Sequence, residues 1–287
     1  MENERTIARE ALLEGKALQT GKRCRMILKP APAASGIVFR RTDLEGVPEI
    51  KLEEAVVSGE YKRRSTIALG RVQIQTVEHF LAALWGLGID NIIVELNGPE
   101  LPAMGGSAVE FLDSLKEAGL EEQSENRRYI RIDEKIEVTD GERKIEIDPS
   151  ESFSVSYDID YKNVPCIKQE VFELELTADS FREEIAPART FCTKKEALLL
   201  FLAGIGRGAN FKNTLVLGNK GPVGTSFRFP NEPVRHKVLD LIGDLYMLGK
   251  PIVGRVVAKR SGHALNAEMV RKIHEKYLKK QSKGREK

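Results

Sequence analysis

Cysteine, tryptophan and histidine are all scarce in this chain of 287 residues. The three cysteines are too few and too far apart for the disulfide framework of a small secreted protein, and we expect reduced thiols in the cytoplasm. They are Cys24, Cys166 and Cys192. There is one tryptophan, and there are only four histidines, so the neighbours of each histidine are informative.

Long hydrophobic runs and a net charge are also missing. The most apolar run, residues 197–205, is about half as long as the roughly 20 residues that cross a bilayer. Residues 1–5 include two glutamates, at positions 2 and 4, where a signal peptide needs a basic segment. The 45 basic and 43 acidic residues leave a net charge of +2, which provides no general surface for nucleic acid. We therefore expect no membrane span, no export and no nucleic-acid partner.

The composition that remains is globular, with 41% hydrophobic and 31% charged residues. The length fits one large domain or two small ones. In the first half, short strands precede two helices, and the second helix opens on an S-x-x-E capping box at residues 107–110. The predicted strands are 24–28, 36–40 and 91–96, and the predicted helices are 76–87 and 107–118.

A wholly polar stretch at 121–128 predicts a linker, after which the order of strands and helices starts again. Because strands precede helices in both halves, we predict α+β layers in each. The repeat is one of element order, since no repeat of residues is present. The predicted strands are 129–138, 144–148 and 153–160, with a hairpin turn at Asp140-Gly141, and the helices are about 233–248 and 267–280.

Two segments lie outside this pattern. Residues 193–224 combine a leucine-rich, helix-like run with a glycine-rich turn and a strand at 214–217, and we interpret them as an insertion. A strongly basic tail begins at about residue 276. A solvated terminus is a simpler interpretation of this tail than a partner-binding patch.

Two histidines lie beside carboxylates in a pattern typical of a metal site. His236 and Asp240 are four residues apart on a predicted helix, so both side chains can reach one ion. His79, in the other half, would be a third ligand and would leave a fourth position open, as in catalytic zinc sites. Its neighbour Glu78 could then act as a general base on water that the ion activates.

Each of these signals alone has an ordinary structural interpretation. A helical H-x-x-x-D pair is more often a surface ion pair, and glutamate at a helix start is typical because it favours the helix dipole. Asp244 strengthens the pattern, since it extends His236 and Asp240 to a row of three polar groups on an otherwise apolar helix. His263 follows Gly262 just before a helix and is a candidate acid, although a lone loop histidine is usually only solvated.

Four segments carry the most specific signal. They are TVEH at 76–79, ARTF at 188–191, NEPVRHKVLDLIGDL at 231–245 and GHALN at 262–266. Together, in this order and spacing, they closely resemble the UDP-3-O-acyl-N-acetylglucosamine deacetylases, the zinc amidases that commit carbon to lipid A. The resemblance covers nearly the whole chain.

The resemblance implies a fold and a metal centre. The fold is α+β, with two similar domains, each a sheet layered on a pair of helices, and an active site between them. We place the domains at 1–124 and 128–287, with the insert and the basic tail in the second. The metal ligands would be His79, His236 and Asp240, holding one zinc ion or, alternatively, iron, with Glu78 as the general base.

The resemblance also assigns the remaining catalytic groups. His263 would be a cationic partner or general acid, and Asp244 would orient it. Thr190 would donate its hydroxyl to the oxyanion formed during hydrolysis. Lys237 would lie near the diphosphate of the substrate.

Binding of the rest of the substrate is predicted on the same basis. Tyr161 would stack on uracil, Asp160 would contact the ribose, and Phe191 would contact the substrate beside Thr190. An aromatic residue at a strand end is, however, more often plain packing. The insert would form a hydrophobic passage for the 3-O-acyl chain, with an ordinary buried helix as the alternative.

Two positions depart from the family pattern. The family has histidine where this chain has Gln19, and aspartate where it has Gly105. These changes leave open a divergent zinc amidase that acts on another acylated amino sugar, or a non-catalytic regulatory protein. The first prediction remains deacetylation of the UDP-sugar lipid precursor by a cytoplasmic monomer.

Overall fold

The computed structural model describes residues 2–58, 63–161, 164–167 and 169–279. The chain folds into layers of helices and mainly antiparallel sheets. The helices are α1 (Glu78–Leu87), α2 (Val109–Glu117), α3 (Ala178–Ser180), α4 (Lys194–Leu202), α5 (Glu232–Leu245) and α6 (His263–Ile273). Short 3₁₀ turns lie at Leu52–Glu54 and Tyr246–Leu248, and π-helical turns at Phe181–Ile185 and His274–Leu278.

The strands form two large sheets and several small ones. In the first half they are β1 (Asn3–Ile7), β2 (Ala11–Lys16), β3 (Arg23–Pro30), β4 (Ile37–Arg41), β5 (Glu49–Lys51), β6 (Val56–Ser58), β7 (Thr66–Leu69), β8 (Val72–Gln75), β9 (Ile92–Leu96) and β10 (Leu120–Asn126). In the second half they are β11 (Ile130–Arg131), β12 (Ile136–Asp140), β13 (Arg143–Asp148), β14 (Phe153–Ile159), β15 (Glu170–Glu175), β16 (Phe191–Thr193), β17 (Leu215–Gly218), β18 (Gly221–Pro222) and β19 (Ile252–Lys259).

The two large sheets have the same topology. Their strand orders are β2-β3-β9-β4-β5 and β12-β13-β19-β14-β15. Each sheet has one internal parallel pair, β4 with β9 and β14 with β19, and in the second sheet β11 also pairs in parallel with β19. The strands of each large sheet also follow the same order along the chain. In the first half, β2–β5 precede α1, β9 and α2; in the second half, β12–β15 precede α5, β19 and α6. The predicted repeat of element order is confirmed, whereas the domain boundary at 124–128 stays a prediction.

Alternating side chains explain why these strands face a core. In β3, Cys24, Met26 and Leu28 are buried while the residues between them are more exposed, so one face of the sheet packs on helices and the other meets solvent. The three cysteines are free thiols, as predicted.

Helices α1 and α5 bring the two halves together. Their closest approach is at Gly243, where a Cβ atom would lie 1.9 Å from the backbone oxygen of Glu78. Only glycine permits this contact of backbone with backbone. The first turn of α1 is thereby held against the middle of α5.

Several predicted element boundaries are wrong. The polar stretch 121–128 is mostly strand β10, which pairs with β1. Its side chains are almost all exposed, so no alternation of apolar and polar residues revealed it. The predicted strand 129–138 is divided into β11 and β12. Ser107 does not cap α2: the N-cap residue is Ala108, no side chain caps the helix, and the Glu110 carboxylate accepts the N–H of Gly105.

The carboxyl-terminal elements and the insert also differ in detail from the prediction. Helix α6 starts at His263, so this histidine lies in the first helical turn rather than in a loop. The insert forms a three-stranded sheet, β16-β17-β18, next to α4. Most of the predicted basic tail, residues 280–287, lies outside the described residues. Among the described helices, none has the length and hydropathy of a membrane span.

Candidate active site

The three predicted metal ligands lie together. His79 is on α1, and His236 and Asp240 are one turn apart on α5; one ligand atom from each lies within 4.8 Å of the others. The Nε2 atoms of His79 and His236 are 3.5 and 3.3 Å from Oδ1 of Asp240. The two imidazole rings are nearly perpendicular. Two imidazole nitrogens and one carboxylate oxygen are a donor set that suits a catalytic zinc ion.

Backbone contacts and charge prepare this cluster for a cation. Nδ1 of His236 lies 3.0 Å from the carbonyl oxygen of Ala188, so Nδ1 donates its proton there and the Nε2 lone pair faces the cluster. Burial lowers the pKa of His236 to about 4, which keeps it neutral. Burial alone would raise the pKa of Asp240, but His236 and Lys237 outweigh it and hold that pKa well below its usual range. His236 and Asp240 are therefore deprotonated, as metal binding requires.

Glu78 begins α1 and is 3% exposed. Burial raises the pKa of its carboxyl above the ordinary value. Its Oε2 accepts the backbone N–H of Ser65 at 3.0 Å. A fixed carboxyl group with a raised pKa, next to a possible metal ligand, has the properties of a general base.

On the other side of the cluster, His263 is anchored by Asp244. Its Nδ1 lies 2.9 Å from Oδ2 of Asp244, which directs Nε2 toward the cluster, 3.9 Å from Asp240. Burial lowers the pKa of His263, but Asp244, Asp240 and Glu78 outweigh it and raise that pKa to about 9. At neutral pH the imidazole is therefore a cation that can donate a proton.

Sequence reasoning missed two residues that complete this arrangement. Ser65 donates its hydroxyl to Asp244, and its Oγ lies 3.1 Å from Nδ1 of His263. The side-chain amide of Asn266 also donates to Asp244, at 2.8 Å. Asn266 could have been found, since it lies one helical turn after His263 within the GHALN segment. Ser65 lies far away in the sequence and carries no such signal.

A cavity of about 570 Å³ opens over the cluster. Thr190, Phe191, Tyr161 and Lys237 line it together with His236, Asp240 and His263. Its outer part is apolar and is contributed by the insert, through Leu200, Phe201, Ile205 and Phe211. One cavity thus joins a polar centre to an apolar extension.

A second cavity of about 690 Å³ adjoins the first. Tyr161 lines both, and its ring meets that of Phe191 edge to face at 5.6 Å. Asp160 lies in the second cavity, 3.9 Å from the guanidinium of Arg260. Four basic residues line this cavity, namely Arg143, Lys194, Lys195 and Arg260.

Lys237 has a partner that the sequence did not predict. Its Nζ lies 2.5 Å from Oδ2 of Asp240. The two carboxylate oxygens of Asp240 therefore face different groups: Oδ1 faces the two histidines and Oδ2 faces Lys237. Burial lowers the pKa of Lys237, but the attraction of Asp240 dominates and raises it above the usual value. Lys237 lines the first cavity and contacts a candidate metal ligand at the same time.

The two positions that depart from the family pattern have local contacts. Gln19 lines the first cavity, and its backbone N–H donates to Glu100 at 2.7 Å. A Cβ atom on Gly105 would lie 3.1 Å from both carboxylate oxygens of Glu110. The Glu110 carboxylate therefore lies next to the position from which the family's aspartate would extend.

Comparison with known proteins agrees with this geometry. The family model for UDP-3-O-acyl N-acetylglycosamine deacetylase matches residues 4–275. A UDP-3-O-acyl-N-acetylglucosamine deacetylase of Anaeromyxobacter sp. (strain Fw109-5) is 40% identical over 274 residues, covering 94% of this chain and 88% of the relative. The chain belongs to this family. A UDP-3-O-acyl-N-acetylglucosamine deacetylase of Acidithiobacillus ferrooxidans is 40% identical over 277 residues, which cover 95% of this chain and 90% of the relative.

Membership in this deacetylase family places the cluster of His79, His236 and Asp240 in a family of metalloenzymes. The deacetylase of Myxococcus xanthus is a further relative, 39% identical over 273 residues that cover 94% of this chain and 86% of the relative. The predicted family and fold class are confirmed. The role of each site residue remains a matter for proposal.

Proposed function

We propose that this family member hydrolyses the N-acetyl group of UDP-3-O-acyl-N-acetylglucosamine, releasing acetate and a free amine in an early, committed step of lipid A synthesis. The observation that carries the proposal is the arrangement of Glu78 and His263 around the cluster of His79, His236 and Asp240. Three members of this arrangement, His236, Asp240 and His263, line a cavity that also has an apolar part.

We propose zinc as the resident ion, held by the two imidazoles and the carboxylate of the cluster. When bound, zinc supplies a Lewis acid that polarises the amide carbonyl and activates water. The neutral state of His236 and the ionised state of Asp240 support this assignment. Iron, which accepts the same ligands, is the alternative.

Glu78 removes the proton from the attacking water in this proposal. The carboxyl is held by the N–H of Ser65, and its raised pKa makes it a stronger base than an exposed glutamate. The same carboxyl can return the proton to the leaving amine. A single buried group would thus serve both proton transfers.

His263 and Thr190 stabilise the charge that develops as water adds to the carbonyl. His263 is held in place by Asp244, and its Nε2 faces the cluster. It is a second candidate to protonate the leaving amine. Thr190 lines the same cavity, from which its hydroxyl can donate to the oxyanion.

The two cavities accommodate the rest of the substrate. The basic cavity that contains Asp160 and Tyr161 suits the uridine and diphosphate, with Tyr161 stacked on uracil and Phe191 beside the sugar. Lys237 provides a positive charge toward the diphosphate. The apolar extension formed by the insert suits the 3-O-acyl chain.

The other predicted functions receive less support. Both departures from the family pattern lie outside the metal cluster, and relatives that cover nearly the whole chain have the deacetylase name. A different amidated sugar and a non-catalytic role are therefore not favoured. Action as a monomer in the cytoplasm stays part of the proposal.

Acetate release from UDP-3-O-(3-hydroxyacyl)-N-acetylglucosamine by the zinc-loaded protein tests this proposal. Glu78→Gln should lower kcat by a factor of about 10²–10⁴, the usual contribution of a general base, without lowering the zinc content. Glu175→Gln, at an exposed position of β15, is the matched control and should leave kcat unchanged. A protein that binds one zinc ion but releases no acetate would overturn the substrate assignment.

A further inference from the structure

Helix α4 has a face that the proposed substrate cavity does not use. Ala197, Leu200 and Phe201 line the cavity. Leu198, Leu199 and Leu202 do not, and they are 59%, 56% and 72% exposed. Three exposed leucines on one helix of nine residues are unusual for a surface that only meets water.

These leucines share a helix face with a basic residue. Lys195, Leu198, Leu199 and Leu202 have the spacing i, i+3, i+4 and i+7, which places them on one side of the helix. We call this side the outer face of α4. Lys195 is exposed and also lines the second cavity, whereas the three leucines line neither cavity.

The chain segment that contains the three leucines is basic in sequence. Residues 197–231 contain no aspartate or glutamate, although the chain has 43 of them. Lys194, Arg207, Lys212 and Lys220 lie in or beside this segment and are exposed. The guanidinium of Arg207 lies close to Gly204, just after the end of α4. Glu196, the acid on α4, is already paired with Arg63.

We propose that the outer face of α4 docks on an anionic phospholipid bilayer. An apolar helix face with lysine and arginine around it is the arrangement that lies in a membrane interface, because the apolar side chains enter the acyl boundary while the basic ones meet anionic headgroups. The opposite face of α4 lines the apolar cavity, so docking would bring that cavity close to the membrane. This proposal extends the proposed function but does not depend on it.

Flotation of the full-length, metal-loaded protein with vesicles tests the proposal. One set contains phosphatidylglycerol and phosphatidylcholine in equal parts, and the other contains phosphatidylcholine alone. We expect binding to the anionic vesicles, little binding to the neutral ones, and release at high salt because salt screens the headgroup charge.

Two variants separate the apolar and the basic contributions. Leu198→Glu/Leu202→Glu should weaken binding about tenfold or more, because it places charge on the face that enters the interface. Lys194→Ala/Lys195→Ala should also weaken it about tenfold, through the loss of attraction to anionic headgroups. Leu12→Glu/Val171→Glu is the matched control, since these residues are 52% and 60% exposed on other surfaces, and it should bind like the wild type.

Three results would overturn the proposal. The first is wild-type protein that stays unbound with anionic vesicles, and the second is equal binding by Leu198→Glu/Leu202→Glu. The third is a dimer in sedimentation velocity that this variant abolishes, since a second copy would then cover the outer face. Retained zinc content and an unchanged circular dichroism spectrum show that the variants are folded, so neither readout depends on acetate release.

Discussion

Helices α5 and α4 both reverse the usual relation between polarity and burial, in opposite directions. On α5, Glu232, His236, Asp240 and Asp244 are all less than 5% exposed. On α4, no residue is buried, although most of its side chains are apolar. Buried polar groups need partners and exposed apolar groups need a reason. Packing alone therefore explains the composition of neither helix.

The buried polar groups of α5 are stable only because each has a partner. Glu232 accepts two hydrogen bonds from the Arg189 guanidinium, at 2.9 and 3.1 Å, and one from the Arg228 backbone at 2.6 Å. Asp244 accepts from Ser65, His263 and Asn266. The exposed leucines of α4 have no comparable constraint. This contrast predicts that substitutions on α5 have large effects and those on α4 have small ones.

The largest effect on stability is expected for Glu232→Ala. Arg189 is 5% exposed. Removal of the Glu232 carboxylate leaves the buried charge of this arginine without a counter-ion. The free energy of unfolding should fall by about 3–5 kcal/mol, measured by urea denaturation. Glu54→Ala, which breaks the exposed pair with Lys51, is the control and should change it by less than about 1 kcal/mol. Equal effects would refute the contrast.

A matched pair of leucines compares the two helices directly. Leu239→Ala on α5 removes a fully buried side chain and should lower the free energy of unfolding by about 2–5 kcal/mol. Leu199→Ala on α4 should change it by less than about 0.5 kcal/mol. The same urea titrations measure both. A large effect of Leu199→Ala would mean that α4 packs against the protein in solution.

Gly243→Ala tests the contact between α5 and α1. The added methyl group would lie 1.9 Å from the Glu78 carbonyl oxygen, so the helices must move apart, at a cost of about 1–3 kcal/mol. Because Glu78 would move with α1, kcat should fall as well. Gly98→Ala, which points into open space, is the control. Normal kcat in Gly243→Ala would show that the spacing of the two helices does not position the base.

The last prediction concerns how the free energy of unfolding depends on pH when metal is removed. The pKa of His263 is raised to about 9, so its cation stabilises the fold fully below its ordinary pKa of about 6.5, and this contribution is lost as the pH rises through 9. The wild type should lose about 2–3 kcal/mol more than His263→Gln between these limits, since one pKa unit corresponds to about 1.4 kcal/mol. Denaturation in the presence of a chelator measures this difference. Parallel curves for the two proteins would contradict it.

The residues predicted as metal ligands lie together in the structure, whereas several predicted boundaries of strands and helices are wrong. His236, Asp240 and Asp244 were found because helical periodicity alone places them on one face. His79 and Glu78 lie on another helix, and only the family motifs linked them to that face. The partner of Lys237 was not predicted, because a side-chain contact depends on the rotamer as well as on the residue order.

Elements without an amphipathic pattern were the ones missed. Strand β10 is exposed along nearly its whole length, so its sequence resembles a linker and its pairing with β1 depends on a distant segment. At the predicted capping box, the Glu110 carboxylate instead accepts the N–H of Gly105, which lies before the predicted helix start. Local patterns decide the fold only where no tertiary contact competes with them.

Asp240 lies between the two histidines and Lys237, and this position has a consequence for ligand binding. One of its oxygens faces the two histidines and the other faces Lys237. A ligand phosphate that draws Lys237 away would leave more negative charge for an ion between the histidines. By reciprocity, occupancy of that ion site would loosen Lys237 and favour the phosphate by the same factor. We therefore expect this carboxylate to couple the affinity for the proposed metal ion to the affinity for a phosphate ligand.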